Sequence, residues 1–118
     1  MAQVDFTDEM KRLLDEYGDE VRDILEEEVK KVAKDAAKEL KQTSPRGDGE
    51  KHYADGWTSK VEGGTAIVYN RTKPGLAHLL EHGYQGRRDH VDGQPHIKPA
   101  EEKYSEELVE RVERRLEE

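Results

Sequence analysis

Trp57-Thr58-Ser59-Lys60-Val61-Glu62-Gly63-Gly64-Thr65-Ala66-Ile67-Val68-Tyr69-Asn70 is the stretch on which the fold turns. Two runs of strand-forming residues flank a Gly-Gly pair, the pattern of a β-hairpin closed by a two-residue turn. Trp57, Ser59 and Val61 alternate onto one face of the first strand, and Thr65 to Tyr69 supplies the second. A hairpin over residues 51–70, set among helical segments, makes the chain an α+β protein with a small antiparallel sheet.

Upstream, residues 8–41 read as a long N-terminal helix. Met10, Leu13, Leu14, Tyr17, Val21, Ile24, Leu25, Val29, Val32, Ala36 and Leu40 recur at steps of three and four and mark one helical face. Thr7 is the expected N-cap, with Asp8 and Glu9 favourable in the first turn. A strict heptad through Leu14 and Val21 would reach Glu28, yet the apolar set moves to Leu25, Val29 and Val32. That drift suits a straight helix lying on a body better than a sustained coiled coil. Glu26–Lys30 and Glu27–Lys31 are spaced as i,i+4 ion pairs. Gly18 costs roughly 1 kcal/mol inside a helix and marks a bend or a break there.

Residues 42–50 form a loop rich in Ser, Pro and Gly. Downstream of the hairpin a short middle helix is expected over 75–83, with Pro74 near its start and Gly83 at its C-cap. Its apolar face would be Leu76, Leu79 and Leu80. Residues 85–96 read as a second loop. A C-terminal amphipathic helix over 99–118 opens at Pro99 and carries Ala100, Tyr104, Leu108, Val112 and Leu116 on a narrow stripe. Glu107–Arg111 and Glu110–Arg114 would brace it.

All of this fits one domain of 118 residues. Its charge is unevenly spread. The chain has 28 acids and 20 bases, net −8. Residues 1–41 hold 13 acids and 8 bases, residues 42–99 hold 7 and 8, and residues 100–118 hold 8 and 4. Apolar residues are only 32%, a thin supply for a core of this size. The chain therefore carries solvated helices on a small core, or completes its burial in an oligomer. No apolar run approaches the ~20 residues of a membrane span. Thr7-Asp8-Glu9 after Phe6 argues against a secretory leader, and a cytoplasmic site of synthesis is expected. With no cysteine, a disulfide framework and a thiolate zinc site are excluded.

Candidate chemistry is sparse. His78-Leu79-Leu80-Glu81-His82 matches the H-x-x-E-H pattern, in which two histidines on one helix face bind zinc and the glutamate acts as base. A small metal-dependent hydrolase using His78, Glu81 and His82 is therefore one reading. The other packs Leu79 and Leu80 inward and turns His78, Glu81 and His82 to solvent or a neighbouring subunit. His90 and His96 lie in the loop without metal-ligand spacing. Arg46-Gly47-Asp48 is an RGD tripeptide in a turn-forming loop, and Asn70-Arg71-Thr72 fits the glycosylation pattern without a leader to deliver it. Arg87 and Arg88, with His90 close by, could touch phosphates or a neighbour's carboxylates. A net charge of −8 opposes a DNA-binding module. A generic interaction adaptor stays open. No catalytic residue, cofactor site or metal site is assigned.

Four segments, taken in order, carry a family resemblance. They are Tyr53-Ala54-Asp55-Gly56-Trp57, Ile67-Val68-Tyr69-Asn70, Leu76-Ala77-His78-Leu79-Leu80-Glu81-His82-Gly83 and Gly93-Gln94-Pro95-His96-Ile97-Lys98-Pro99-Ala100. Together they resemble the neck and tail-completion proteins of long-tailed bacteriophages, the head–tail joining components also called minor tail or minor capsid proteins. Under that resemblance Trp57 and Tyr69 anchor one sheet face, and Leu79, Leu80 and Glu81 belong to a structural helix. Gly83, Pro95 and Pro99 shape the chain path. The resemblance implies no enzyme and no cofactor. It implies a ring of six subunits in the virion, at the head–tail interface, assembled in the host bacterial cytoplasm. Its partners would be further copies of itself, head connector or stopper proteins and the tail-tube protein. DNA would pass through the lumen without sequence-specific binding, and no membrane is involved. Arg46, Asp48, Arg87, Arg88 and His90 become candidate subunit or partner contacts.

Overall fold

The computed structural model describes residues 2–45 and 51–118. Arg46 and Asp48, and with them the RGD tripeptide, lie outside the described residues. The elements run β1 (Val4–Asp5), α1 (Thr7–Tyr17), a 3-10 turn (Gly18–Val21), α2 (Arg22–Thr43), α3 (Lys51–Ala54), β2 (Trp57–Glu62) and β3 (Thr65–Asn70). They continue with α4 (Pro74–His82), β4 (Gly83–Gln85), β5 (His90–Asp92) and α5 (Ile97–Leu116). The architecture is mixed α+β, with a long N-terminal helical segment, small antiparallel sheets, a short middle helix and a C-terminal helix.

Gly18 breaks the N-terminal helical segment. It ends α1 with φ +74, a left-handed conformation that glycine adopts without strain. The chain then tightens into the 3-10 turn before α2 begins. Thr7, expected as the N-cap, is instead the first helical residue. Phe6 holds the cap position, buried, and the Thr7 N–H donates to Asp5 Oδ1 at 2.9 Å. Beside the elbow the Tyr17 hydroxyl donates to Glu113 Oε2 at 2.6 Å. That bond, with the carboxylate charge and some burial, pushes the phenol up to about 12.

The hairpin closes across Gly63-Gly64, with Glu62 opposite Thr65 and Trp57 opposite Asn70. Residues 51–54, expected within the hairpin, are instead a single helical turn. The register corrects a second expectation. Trp57 pairs with Asn70 and Tyr69 with Thr58, so Trp57 and Tyr69 point to opposite faces, since side chains alternate along a strand. Trp57, Ala66, Val68 and Asn70 are buried on the inner face, whereas Tyr69 lies half-buried on the outer one. The N-terminal strand β1 adds to β3 with Val4 opposite Val68, giving the sheet order β1-β3-β2. Only two residues long, it is too short for a periodicity to announce it.

Helices α2 and α5 run antiparallel. Glu39 meets Lys103 near one end, and Glu27 meets Arg115 at 2.6 Å near the other. Val21, Leu25, Val29, Val32, Ala33, Ala36 and Leu40 bury one face of the N-terminal segment, and Ala100, Tyr104, Leu108 and Val112 bury the matching face of α5. Glu28, where the heptad fails, is itself inside this seam at 3% exposure. Arg111 Nε at 3.1 Å, Arg115 Nη1 at 3.0 Å and Lys31 Nζ at 3.5 Å surround its carboxylate. Burial alone would raise its pKa, but these cations outweigh it and hold the group below the usual carboxylate range. Glu27, spaced to pair with Lys31, reaches across to Arg115 instead. The molecule is elongated, 56 × 21 × 20 Å.

Candidate assembly surface

The segment from α4 to the start of α5 holds most residues singled out in the sequence. Pro74 sits in the first turn of α4, and Gly83 closes the helix with φ +86. A Cβ on Gly83 would lie 2.6 Å from the Val91 carbonyl oxygen, and one on Gly93 would lie 2.6 Å from that of Glu81. The two backbones cross where only hydrogen fits. From this crossing β4 and β5 project as a second hairpin, with Tyr84 opposite Val91 and Gln85 opposite His90. Residues 85–96, expected as one loop, thus contain a strand and the tip of a ribbon. Each strand is only three residues long, and the intervening Gly-Arg-Arg-Asp hid the alternation.

In α4, Ala77, Leu80 and Glu81 face the core. Leu79, expected to pack inward with Leu80, is 37% exposed. Glu81, expected at solvent, is 6% exposed. Its Oε1 accepts from the backbone N–H of His96 and of Ile97, each at 2.8 Å, and its Oε2 from that of Lys98 at 2.9 Å. Helix α5 therefore starts at Ile97, two residues before the expected position, with His96 as its cap residue. No Ser, Thr, Asp or Asn stands at that cap. A helix start leaves four N–H groups without intrahelical partners. Glu81 takes three of them, and Pro99, third in the helix, has no N–H to satisfy. The carboxylate also meets the positive end of the helix dipole. Burial works against its charge, but the three donors prevail and hold its pKa below the usual glutamate range.

A buried polar chain continues from this cap. His96 Nδ1 lies 2.7 Å from the Gln94 carbonyl, which needs a proton there, so Nε2 is free to accept from the Tyr53 hydroxyl at 2.7 Å. Burial, with the nearby Glu81 charge, pushes the Tyr53 phenol well above its ordinary value. The Tyr53 carbonyl accepts from Asn70 Nδ2 at 2.7 Å. Trp57 Nε1 donates to Ser44 Oγ at 2.7 Å, and Ser44 in turn donates to the Leu40 carbonyl. Tyr53, Trp57 and His96 meet edge to face, with ring centroids 5.7–6.2 Å apart. This network fastens α2, α3, β2, β3, α4 and α5 at one end of the molecule.

These contacts decide the H-x-x-E-H motif. His78 and His82 are exposed, their rings 4.8 Å apart, while the Glu81 carboxylate is spent on backbone donors. Glu81 is thus a helix cap rather than a base beside a metal. Among the described residues no group of three or more His, Asp or Glu is placed to hold a metal ion. No helix of the described residues is long and apolar enough to cross a membrane.

What the segment offers instead is surface. Leu79, Tyr84 and Val91 are the exposed large apolar side chains of the described residues, at 36–37% each, and all lie on α4, β4 and β5. Tyr84 and Val91 are cross-strand partners on one face of the ribbon. Arg87 and Arg88 stand at its tip, and His90 is exposed beside them, 3.7 Å from Asp92. Pro95 is exposed in the linker before α5. The ribbon thus presents an apolar side and a charged tip at the surface of the described residues.

The family model described as "Bacteriophage HK97-gp10, putative tail-component" matches residues 8–83, more than half of the chain. No curated protein and no solved structure gives a significant match.

Proposed function

Because the chain belongs to the HK97-gp10-like family of bacteriophage tail components, we propose that it is a ring-forming structural subunit at the head–tail junction of a tailed phage. In this reading it is a neck protein or a tail-terminator/tail-completion protein of the virion. It joins the tail tube to the head connector or stopper and leaves an open lumen for DNA. Its work is assembly, not catalysis. The observation that carries the reading is the projecting β4–β5 ribbon, whose Tyr84 and Val91 are each more than a third exposed in the isolated chain.

The composition supports it. A core drawn from 32% apolar residues is completed when neighbouring copies bury the exposed ribbon. Closed rings arise when one surface of a subunit meets a different surface of the next and the rotation closes. A chain of net −8 gives the lumen little hold on phosphates, so DNA slides through without being trapped. The ribbon residues Arg87, Arg88 and His90 are the proposed contacts to neighbouring copies or to the adjoining connector and tail-tube proteins.

Native mass spectrometry tests the ring. The expected spectrum shows a closed oligomer, a hexamer in this reading, either alone or with the connector or tail-tube protein present. A chain that stays monomeric under all of these conditions overturns it.

A further inference from the structure

The proposed ring leaves open which surface the ribbon meets. The arginine pair at its tip and the acidic elbow of the helical body lie at opposite ends of the molecule. The 3-10 elbow precedes α2, and the ribbon precedes α5. Because α2 and α5 are antiparallel, those two starts are separated by the length of α2. Its 22 residues span about 33 Å at 1.5 Å per residue. Residues 15–23, around the elbow, contain five acids and one base. Glu16 and Glu20 are exposed there, and Tyr17 and Ile24 are half-buried apolar neighbours. The ribbon tip presents Arg87 and Arg88 side by side, both exposed and outnumbering the adjacent Asp89, with Tyr84 and Val91 behind them.

We infer that the ribbon of one copy docks on the acidic elbow of a second copy, with the two arginines on the elbow's carboxylates and the Tyr84–Val91 face on its half-buried apolar side chains. This inference rests on the ring reading and specifies its interface. The two surfaces are unlike, so the contact is head-to-tail, the kind that propagates into a ring rather than closing a two-fold dimer. Pairing the arginines with the elbow's carboxylates also sets the orientation, because elbow against elbow would bring like charges together. Association through such a contact weakens as salt rises.

The test is a charge swap read by sedimentation velocity and native mass spectrometry. Arg87→Glu with Arg88→Glu reverses the tip, and Glu16→Lys with Glu20→Lys reverses the elbow. All four sites are exposed, so circular dichroism should show both variants folded. Each variant alone is expected to lose the wild-type oligomer, shifting to monomer at concentrations where wild type is assembled. An equimolar mixture is expected to recover an oligomer in which the two variants alternate. Variants that assemble like wild type, or that fail separately and stay monomeric when mixed, overturn the head-to-tail contact while leaving the ring intact. A wild-type chain that never assembles overturns the ring and this contact together.

Discussion

Glu81 and Ile97 are 16 residues apart, and the Glu81 Oε1 accepts the Ile97 N–H at 2.8 Å. One buried carboxylate on α4 thereby serves as the N-cap of α5. Beside it the Gln94 N–H donates to the Leu80 carbonyl at 2.7 Å and fixes the root of the ribbon. Glu81→Ala leaves three backbone donors without their acceptor. Hydrogen bonds to charged groups contribute roughly 1.5–3 kcal/mol each and are not additive, so a loss of about 2–4 kcal/mol is expected. Urea unfolding followed by fluorescence of Trp57, the chain's single tryptophan, measures it. A loss under 1 kcal/mol contradicts the capping role.

The same carboxylate gives a pH signature. Its folded pKa is depressed, so its stabilisation is fully present above the unfolded glutamate pKa and is lost as pH falls through the folded one. Glu28 acts in the same direction. Wild type is therefore expected to exceed Glu81→Gln in stability at pH 7, with the gap closing below about pH 4, near the ordinary glutamate value. Thermal melts of both proteins across pH 3–7 check it, and a gap independent of pH speaks against a charged cap.

Glu101 carries the opposite sign. Burial, and then the charge of Glu9, push its pKa above the usual range. A carboxyl raised on folding costs stability at neutral pH and recovers it on protonation. Glu101→Gln is expected to raise the melting temperature at pH 7 and to have a smaller effect at pH 4. A lowered melting temperature at pH 7 rejects this.

The backbone crossing at the ribbon root should reject a methyl group. Gly93→Ala places a Cβ 2.6 Å from the Glu81 carbonyl oxygen and 2.7 Å from the His82 carbonyl carbon. Overpacking of this kind costs about 1–3 kcal/mol. Gly75→Ala, on α4 with nothing within 4 Å of the new methyl, is the control. It should be neutral or stabilising by up to about 1 kcal/mol. Equal effects from the two substitutions would deny the close approach.

The helices were legible because their apolar stripes are local. Met10, Leu13, Leu25, Val29, Leu108 and Val112 announce buried faces by spacing alone, and all are buried. The Gly63-Gly64 hairpin was legible for the same reason. What stayed hidden depends on distant partners. Glu28 looked like an interruption of its stripe because Arg111, which answers it, lies 83 residues away. Glu81 looked like a zinc-site base because its acceptor role is visible only once α5 is docked. One signal was present: the helix after His96 has no capping side chain of its own and a proline in its first turn, which asks for a cap from elsewhere. The ribbon hid behind strands of three residues and a charged tip. The side of α4 on which Leu79 sits is not legible in the sequence, because a nine-residue helix leaves the orientation of Leu76, Leu79 and Leu80 ambiguous.

The proposed ring puts the protein's work at the head–tail junction. Electron microscopy of gold-labelled phage particles, assembled with an epitope-tagged copy of this chain in place of the untagged one, tests it most directly. Label confined to a ring at the head–tail junction of intact virions is expected. Label along the tail shaft or at its distal tip, or complete particles without label, would contradict it.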